Sequence, residues 1–191
     1  AGKKYHDAVA GRWHMKKDIP KNAENLKVYS ISDVESARKS CDFVFSALDS
    51  EIAKEWEEKY AEAGIPVVSN ASTHRHTPDV PMIIPEINPQ HLGIIPMQQK
   101  NRKWKTGFIV VKPNCSLQSY LAPLFALHKK FRITKAVITT MQAVSGAGHP
   151  GVSSLDITDN IIPYIGGEEE KSEKEPKKIM GRIEGNRIAY D

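Results

Sequence analysis

Two of the 191 residues are cysteines, Cys41 and Cys115, and their surroundings differ. Cys115 follows Pro113-Asn114 and immediately precedes a stretch with an apolar face, Ser116 to Lys130. A helix starting there aims unpaired backbone N–H groups at the thiol, a setting that favours the thiolate, which is the nucleophilic form. Position alone leaves packing as an equal alternative, because free cysteines are among the most buried residues. Cys41, followed by Asp42-Phe-Val-Phe45, reads as a packing residue. Two cysteines make neither a disulfide framework nor a four-ligand zinc site, and no histidine pair has metal-ligand spacing with acidic partners, so no metal is expected. His6, His74 and His76 read as loop or surface residues. A second chemical candidate is Ser145 to Gly151, where three glycines and a proline demand an irregular loop with close backbone approach to something.

These residues need a scaffold, and the first half of the chain alternates short apolar runs with amphipathic ones, the pattern of an α/β fold. Val28 to Ile31 predicts a short strand, Ser32 or Asp33 a cap for a helix through Lys39, and Cys41 to Leu48 a buried strand. Ser50 can cap a longer helix whose apolar face is Ile52, Trp56 and Tyr60, stopped by Gly64 and Pro66 before a strand from Pro66 to Ser69. Strand, helix, strand with short joints implies parallel pairing. Five prolines between Pro78 and Pro96 argue against a long helix and for an extended surface segment. Thr106 to Lys112 predicts the strand that leads into Cys115. The helix beyond it has Leu117, Tyr120, Leu121, Leu124 and Leu127 on one face, with Pro123 as a kink point. Thr134 to Val144 predicts another strand. Glu168 to Lys178, with five acids and four bases, predicts a solvated helix start interrupted by Pro176.

Composition narrows the class. With 40% hydrophobic and 26% charged residues the chain is that of a globular protein rather than a disordered one. Its net charge of +4 is spread in pairs such as Lys3-Lys4 and Lys129-Lys130, with no nucleic-acid signature, so no nucleic-acid partner is expected. Apolar runs such as Phe108 to Val111 fall far short of the roughly 18 residues a membrane span needs, and a cytoplasmic protein is expected.

Several motifs occur in a recognisable order: Pro113-Asn-Cys-Ser116, Met141-Gln-Ala-Val-Ser-Gly-Ala-Gly148 and Gly166-Gly-Glu-Glu-Glu-Lys171. With Ala1-Gly-Lys-Lys-Tyr5, Phe45-Ser-Ala-Leu48, Val68-Ser-Asn-Ala-Ser72 and Ile84-Pro-Glu-Ile-Asn88, they resemble aspartate-semialdehyde dehydrogenases, in the archaeal and fungal branch, over essentially the whole chain. One such motif is weak evidence; several in collinear order are specific.

The resemblance implies an incomplete Rossmann-like dinucleotide-binding domain over residues 1–112, followed by part of an α+β catalytic and dimerisation domain over 113–191. It implies that a first strand and glycine-rich turn precede Ala1 and that an arginine and a catalytic histidine follow Asp191, so the chain is expected to be a fragment, inactive alone. It assigns Cys115 as nucleophile and places Asn114, Gln142, Glu168 and Lys171 at the substrate, with Glu169 the alternative to Glu168. Arg102 is a further candidate, as an anion-binding guanidinium beside the catalytic strand. Ser46, Ala47 and Asn70 are expected in the cofactor crevice and Ser145 and Gly146 at its nicotinamide end.

The implied cofactor is NADP, the implied substrate is aspartyl phosphate with phosphate as co-product, and the implied assembly is a homodimer or homotetramer. In the implied reaction the thiolate attacks the acyl carbon, phosphate leaves, and the thioester is reduced to the aldehyde. The alternatives are a malonyl-CoA-type thioester reductase of the same branch and a catalytically inactive module. Three positions depart from the family pattern: Asp49, Lys112 and His149. Lys112 either acts on Cys115 or points away along its strand.

Overall fold

A computed structural model of the chain describes residues 1–191. Three short strands, β1 (Val44–Ser46), β2 (Val67–Ser69) and β3 (Ile109–Val111), form a parallel sheet in the order β1-β2-β3. The register pairs Val44 with Val67 and Val67 with Ile109. Before the sheet lie two one-turn helices, α1 (Tyr5–Ala8) and α2 (Lys21–Glu24), and then α3 (Val34–Ser40), whose first turn is capped by the Asp33 carboxylate accepting from Ser36 N–H. The expected strand at Val28 to Ile31 does not form. Backbone bonds from Gly2 N–H to Val28 O and from Val28 N–H to Lys3 O tie that stretch to the amino terminus as a single antiparallel bridge.

The connection between β1 and β2 is α4 (Ser50–Glu62). Its buried stripe is Ala53, Glu57 and Ala61, not the Ile52 face; Ile52 is 46% exposed, while Trp56 and Tyr60 are half-buried. Small residues win because the helix lies close to the sheet: a Cβ on Gly107, just before β3, would stand 1.9 Å from the Ala61 carbonyl oxygen. β1 is an edge strand, and its Phe45 is 77% exposed, so the expected buried strand is shorter and less buried than its composition suggests. Cys41 likewise lies exposed rather than packed.

The proline-rich segment 78–96 is not a surface strap. Val80, Met82, Ile84 and Ile87 belong to the main core, together with Val67, Ile109 and Val111 of the sheet. Met82 forms a parallel bridge to Val111, so this segment covers the β3 edge that β2 leaves free. Its irregular backbone can be buried because Asn88 satisfies it: Oδ1 accepts from Ile84 N–H, and Nδ2 donates to the Met82 carbonyl and to His91 Nδ1. His91 in turn donates from Nε2 to the Gly181 carbonyl at 2.9 Å. A 3-10 turn, Pro89–Ile94, leads into α5 (Ile95–Arg102), whose Gln98 bonds both backbone groups of Ile109.

After β3 the chain enters α6 (Cys115–Phe131), which contains Pro123 without ending there. Residues 132–143 carry no regular structure and pair with no strand, so the expected strand Thr134 to Val144 is absent; a 3-10 turn, Val144–Ala147, and the short α7 (Ser154–Ile157) follow. Helix α8 (Glu168–Met180) runs straight through Pro176, and the antiparallel hairpin β4 (Arg182–Glu184) and β5 (Arg187–Ala189) closes the fold. Leu117 and Leu121 of α6 and Ile179 of α8 join the same core as the sheet, which fixes both helices against the carboxyl end of β3. No helix is long and apolar enough to cross a membrane.

Replacing Asn88 by alanine leaves the buried Ile84 N–H and Met82 carbonyl without partners. Each such group costs about 1 to 3 kcal/mol. Urea unfolding followed by circular dichroism should show Asn88→Ala destabilised by about 2 to 4 kcal/mol, whereas a change below about 0.5 kcal/mol would mean the segment is not held by this side chain.

Candidate active site

The end of β3 and the start of α6 place Cys115 at the first residue of a 17-residue helix. Asn114 holds the N-cap position, yet its side chain accepts from no backbone N–H of the first turn. It is used otherwise: Oδ1 accepts from the Cys115 thiol at 3.2 Å, and Nδ2 donates to Glu168 Oε2 at 2.8 Å. The thiol also accepts from Gln142 Nε2 at 3.2 Å. The sulfur therefore lies between one amide oxygen and one amide N–H, beside a helix terminus whose backbone N–H groups have no acceptor from the cap residue.

Cys115 and Gln142 line a cleft of ≈ 490 Å³ with Ser116, Tyr120, Ser145 and Gly146. Gly146 permits this arrangement, because a Cβ there would come within 3.0 Å of the Gln142 side chain. Glu168, at the first turn of α8, reaches the same corner. It accepts from Asn114, from Ser116 Oγ at 3.1 Å and from Lys171 Nζ at 3.1 Å. Burial works to raise the Glu168 carboxyl, but the hydrogen bonds from Asn114 and Lys171 and the Lys171 charge outweigh it and hold it below the usual carboxylate range. Between the two candidate acids, it is Glu168 that meets Asn114.

Helix α8 is not the solvated run its composition suggests. Glu168, Lys171, Glu175 and Lys178 follow one another at spacings of three and four residues, so they share one face. Glu175 and Lys178 are fully buried. Glu175 Oε1 accepts from Arg75 Nη1 at 3.0 Å and Oε2 from the Asn114 backbone N–H at 2.7 Å. Lys178 Nζ donates to the carbonyls of Arg75 and Thr77. Arg75 also donates to the Asn70 carbonyl. Lys112 stays near Cys115: its Nζ donates to Pro113 O at 3.3 Å, and burial, followed by the neighbouring Arg75 charge, lowers its pKa while Cys115 and Glu175 act the other way. Arg75, Glu175 and Lys178 were not read from the sequence as functional. The signal available was charge at a core-facing period within α8, hidden by the five further charges on its other faces.

Arg102 does not join this group. It pairs with Asp79 at 2.5 Å, Asn101 donates to the same oxygen at 3.0 Å, and the guanidinium lines a separate polar cavity of ≈ 550 Å³ with His74 and Lys54. An ion pair already satisfies it, so it is not available at Cys115. His74 is buried rather than superficial, 3.9 Å from Glu57, and burial lowers its pKa against the opposing Glu57 charge.

The expected crevice residues sit at the carboxyl ends of the parallel strands. Ala47 and Asn70 are exposed there, beside a groove of ≈ 330 Å³ that Tyr29, Ile31, Phe45, Leu48 and Trp56 help to line. Ser46 is turned inward, and its hydroxyl, like that of Ser69, donates to Glu57 Oε1. Ser46 nonetheless lines this groove, and its backbone carbonyl accepts from Asn70 N–H. Open parallel sheets bind ligands at this end, and an apolar groove flanked by exposed strand ends suits part of a dinucleotide. Among His, Cys, Asp and Glu side chains, no group of three is placed to hold a metal ion.

Burial lowers Lys178 from 10.5 to about 7, against the opposing pull of Asp79 and Glu175. Between those two values the unfolded chain holds this proton and the folded chain does not, so stability rises with pH across the window and the gain is lost again as pH falls through the folded value. Urea unfolding at pH 7, 8, 9 and 10 should show the stability of the wild type increasing relative to that of Lys178→Met. Parallel pH curves for the two proteins would mean that Lys178 keeps its proton in the fold.

Residues 1–95 match a family model described as the semialdehyde dehydrogenase NAD binding domain, and residues 121–191 match the semialdehyde dehydrogenase dimerisation domain. The chain is 46% identical to the aspartate-semialdehyde dehydrogenase of Archaeoglobus fulgidus over 99% of its own length and 53% of that protein. It is 46% identical to the Aspergillus fumigatus aspartate-semialdehyde dehydrogenase over 100% of its length and 52% of that protein. A crystal structure of aspartate-semialdehyde dehydrogenase with NADP from Candida albicans superposes with a TM-score of 0.83 at 38% identity, covering 100% of this chain and 53% of that one. The chain thus spans about half the length of the relatives it matches.

Proposed function

Since the chain belongs to the aspartate-semialdehyde dehydrogenase family, we propose that it carries the nucleophile and part of the substrate site of an NADP-dependent enzyme that reduces aspartyl phosphate to aspartate semialdehyde. The observation that carries this reading is the placement of the Cys115 thiol at the start of α6, 3.2 Å from the Gln142 amide in an open cleft. A sulfur so placed can attack an acyl carbon: a C–S bond forms, the C–O bond to phosphate breaks, and phosphate leaves. Gln142 orients the acyl group, and Glu168 with Lys171 supplies the acidic and basic pair that meets the substrate's charged ends. Lys112 adds positive charge beside the nucleophile, which suits a phosphorylated substrate. Arg102 has no part in it, being held by Asp79.

The strand-end groove with Ala47 and Asn70, the backbone of Ser46, and the turn at Ser145 and Gly146 would hold NADP, which when bound supplies the hydride that reduces the thioester. What supports this is the likeness of residues 1–95 to an NAD binding domain and the NADP in the Candida albicans relative. We divide the chain at 112/113, where β3 has ended and the nucleophile turn begins; the two family models leave residues 96–120 between them. The match of residues 121–191 to a dimerisation domain supports a homo-oligomer, dimer or tetramer, and a cytoplasmic setting fits an enzyme of amino-acid biosynthesis.

The test is phosphate-dependent oxidation of aspartate semialdehyde with NADP by the protein that carries this chain. Cys115→Ala should abolish it. Gln142→Ala should lower turnover about a hundredfold, as expected for a misplaced reacting centre, while NADPH affinity from fluorescence titration stays within about twofold. Undiminished turnover in Cys115→Ala would overturn the nucleophile assignment. Loss of NADPH binding in Gln142→Ala with normal acylation would move Gln142 to the cofactor site.

A further inference from the structure

The N-cap of α6 is built in an unusual way. In a common capping arrangement an acidic residue three positions into the helix reaches back to accept from the N-cap backbone N–H. Here that position is Leu117, which is buried in the core, and the carboxylate comes from another helix: Glu175 Oε2 accepts from Asn114 N–H at 2.7 Å. Its other oxygen is fixed by Arg75 at 3.0 Å, and Arg75 is fixed by the Asn70 carbonyl at 3.1 Å. With the Asn114 backbone held by Glu175, the Asn114 side chain holds the Cys115 thiol and Glu168 in place of the first-turn N–H groups.

We infer that Glu175 is a positioning residue that acts through Asn114, clamping the backbone of the nucleophile turn so that the Cys115 sulfur stays between Asn114 and Gln142. This rests on the reading of Cys115 as nucleophile. Glu175 itself lies fully buried, is not among the residues lining the cleft and makes no hydrogen bond to the sulfur. A carboxylate is needed in full. Glutamine can offer an oxygen to Asn114 or to Arg75, but its NH2 group then confronts the other donor. Aspartate keeps the charge but is too short by one methylene to span both partners. Position and charge therefore separate: if geometry matters, both substitutions harm the site, and if charge alone matters, aspartate behaves as wild type.

The experiment uses the protein that carries this chain and reads two quantities. The first is the exchange rate of the Asn114 amide proton in two-dimensional 1H–15N spectra. The second is the rate of iodoacetamide alkylation of Cys115 at pH 7, with Cys41, exposed in the same chain, as the internal reference. In the unaltered chain the Asn114 amide should exchange at least about tenfold more slowly than exposed loop amides, and Cys115 should outpace Cys41. Both Glu175→Gln and Glu175→Asp should speed Asn114 exchange and slow Cys115 alkylation about tenfold, the scale of one hydrogen bond to a charged group, with the Cys41 rate unchanged. An unprotected Asn114 amide in the unaltered chain overturns the clamp without any variant. So do Cys115 rates within twofold of wild type in both folded variants, faster alkylation in either, or opposite responses of the two. If Cys115 is no more reactive than Cys41 in the unaltered chain, the nucleophile assignment fails, and with it the role given to Glu175.

Discussion

A buried carboxylate with two partners far away in sequence holds the two halves of this chain in register. Glu175 reaches Arg75, 100 residues earlier, and the Asn114 backbone, 61 residues earlier. Removing one partner of such a buried pair commonly costs about 3 to 5 kcal/mol, because the remaining charge is left without water or counter-charge. The same constraint sets the rotation of α8 about its axis. Turning the helix by one residue would carry Lys174 or Pro176 to the place of Glu175, and the guanidinium of Arg75 would face a cation or a ring. Apolar contact through Ile179 alone would tolerate such a turn far better. The polar stripe is what makes the docking specific, and Glu168 arrives at Asn114 and Ser116 because Glu175 and Lys178 have fixed the helix that carries it.

The sheet scaffold was legible because its signals are local. The apolar run ending at Val111, the Pro113-Asn114 turn and the helical period from Leu117 onward place Cys115 correctly at a strand-to-helix junction. The segment 78–96 was misread because prolines report what the backbone cannot do and say nothing about burial; what buries it is Asn88, whose bonds reach only four and six residues back but close a non-repeating loop. Charge misled in the same way at α8, where five acids and four bases look solvated until the sequence-distant partners of Glu168, Glu175 and Lys178 are in place. The stretch from Thr134 to Val144 errs in the opposite direction. Its β-branched residues favour a strand, yet strand formation is realised only against a partner, and within residues 1–191 none pairs with it.

That unequal support divides the site itself. Cys115, Asn114 and Glu168 are tied to the core through Leu117, Leu121, Ile179 and the Arg75–Glu175 pair. Gln142, Ser145 and Gly146 belong to a stretch in which no residue between Leu121 and Glu175 is buried. Segments with few buried contacts sit at the low-stability end of a fold and move at small free-energy cost. The Cys115 sulfur is thus placed by the fold, whereas the amide that donates to it is placed largely by the hydrogen bond they share and by the room that Gly146 leaves. If Cys115 is the nucleophile proposed above, an acyl group entering the cleft would compete for the Gln142 donor, and that amide could follow the acyl group while the helix terminus and Asn114 hold the sulfur in place.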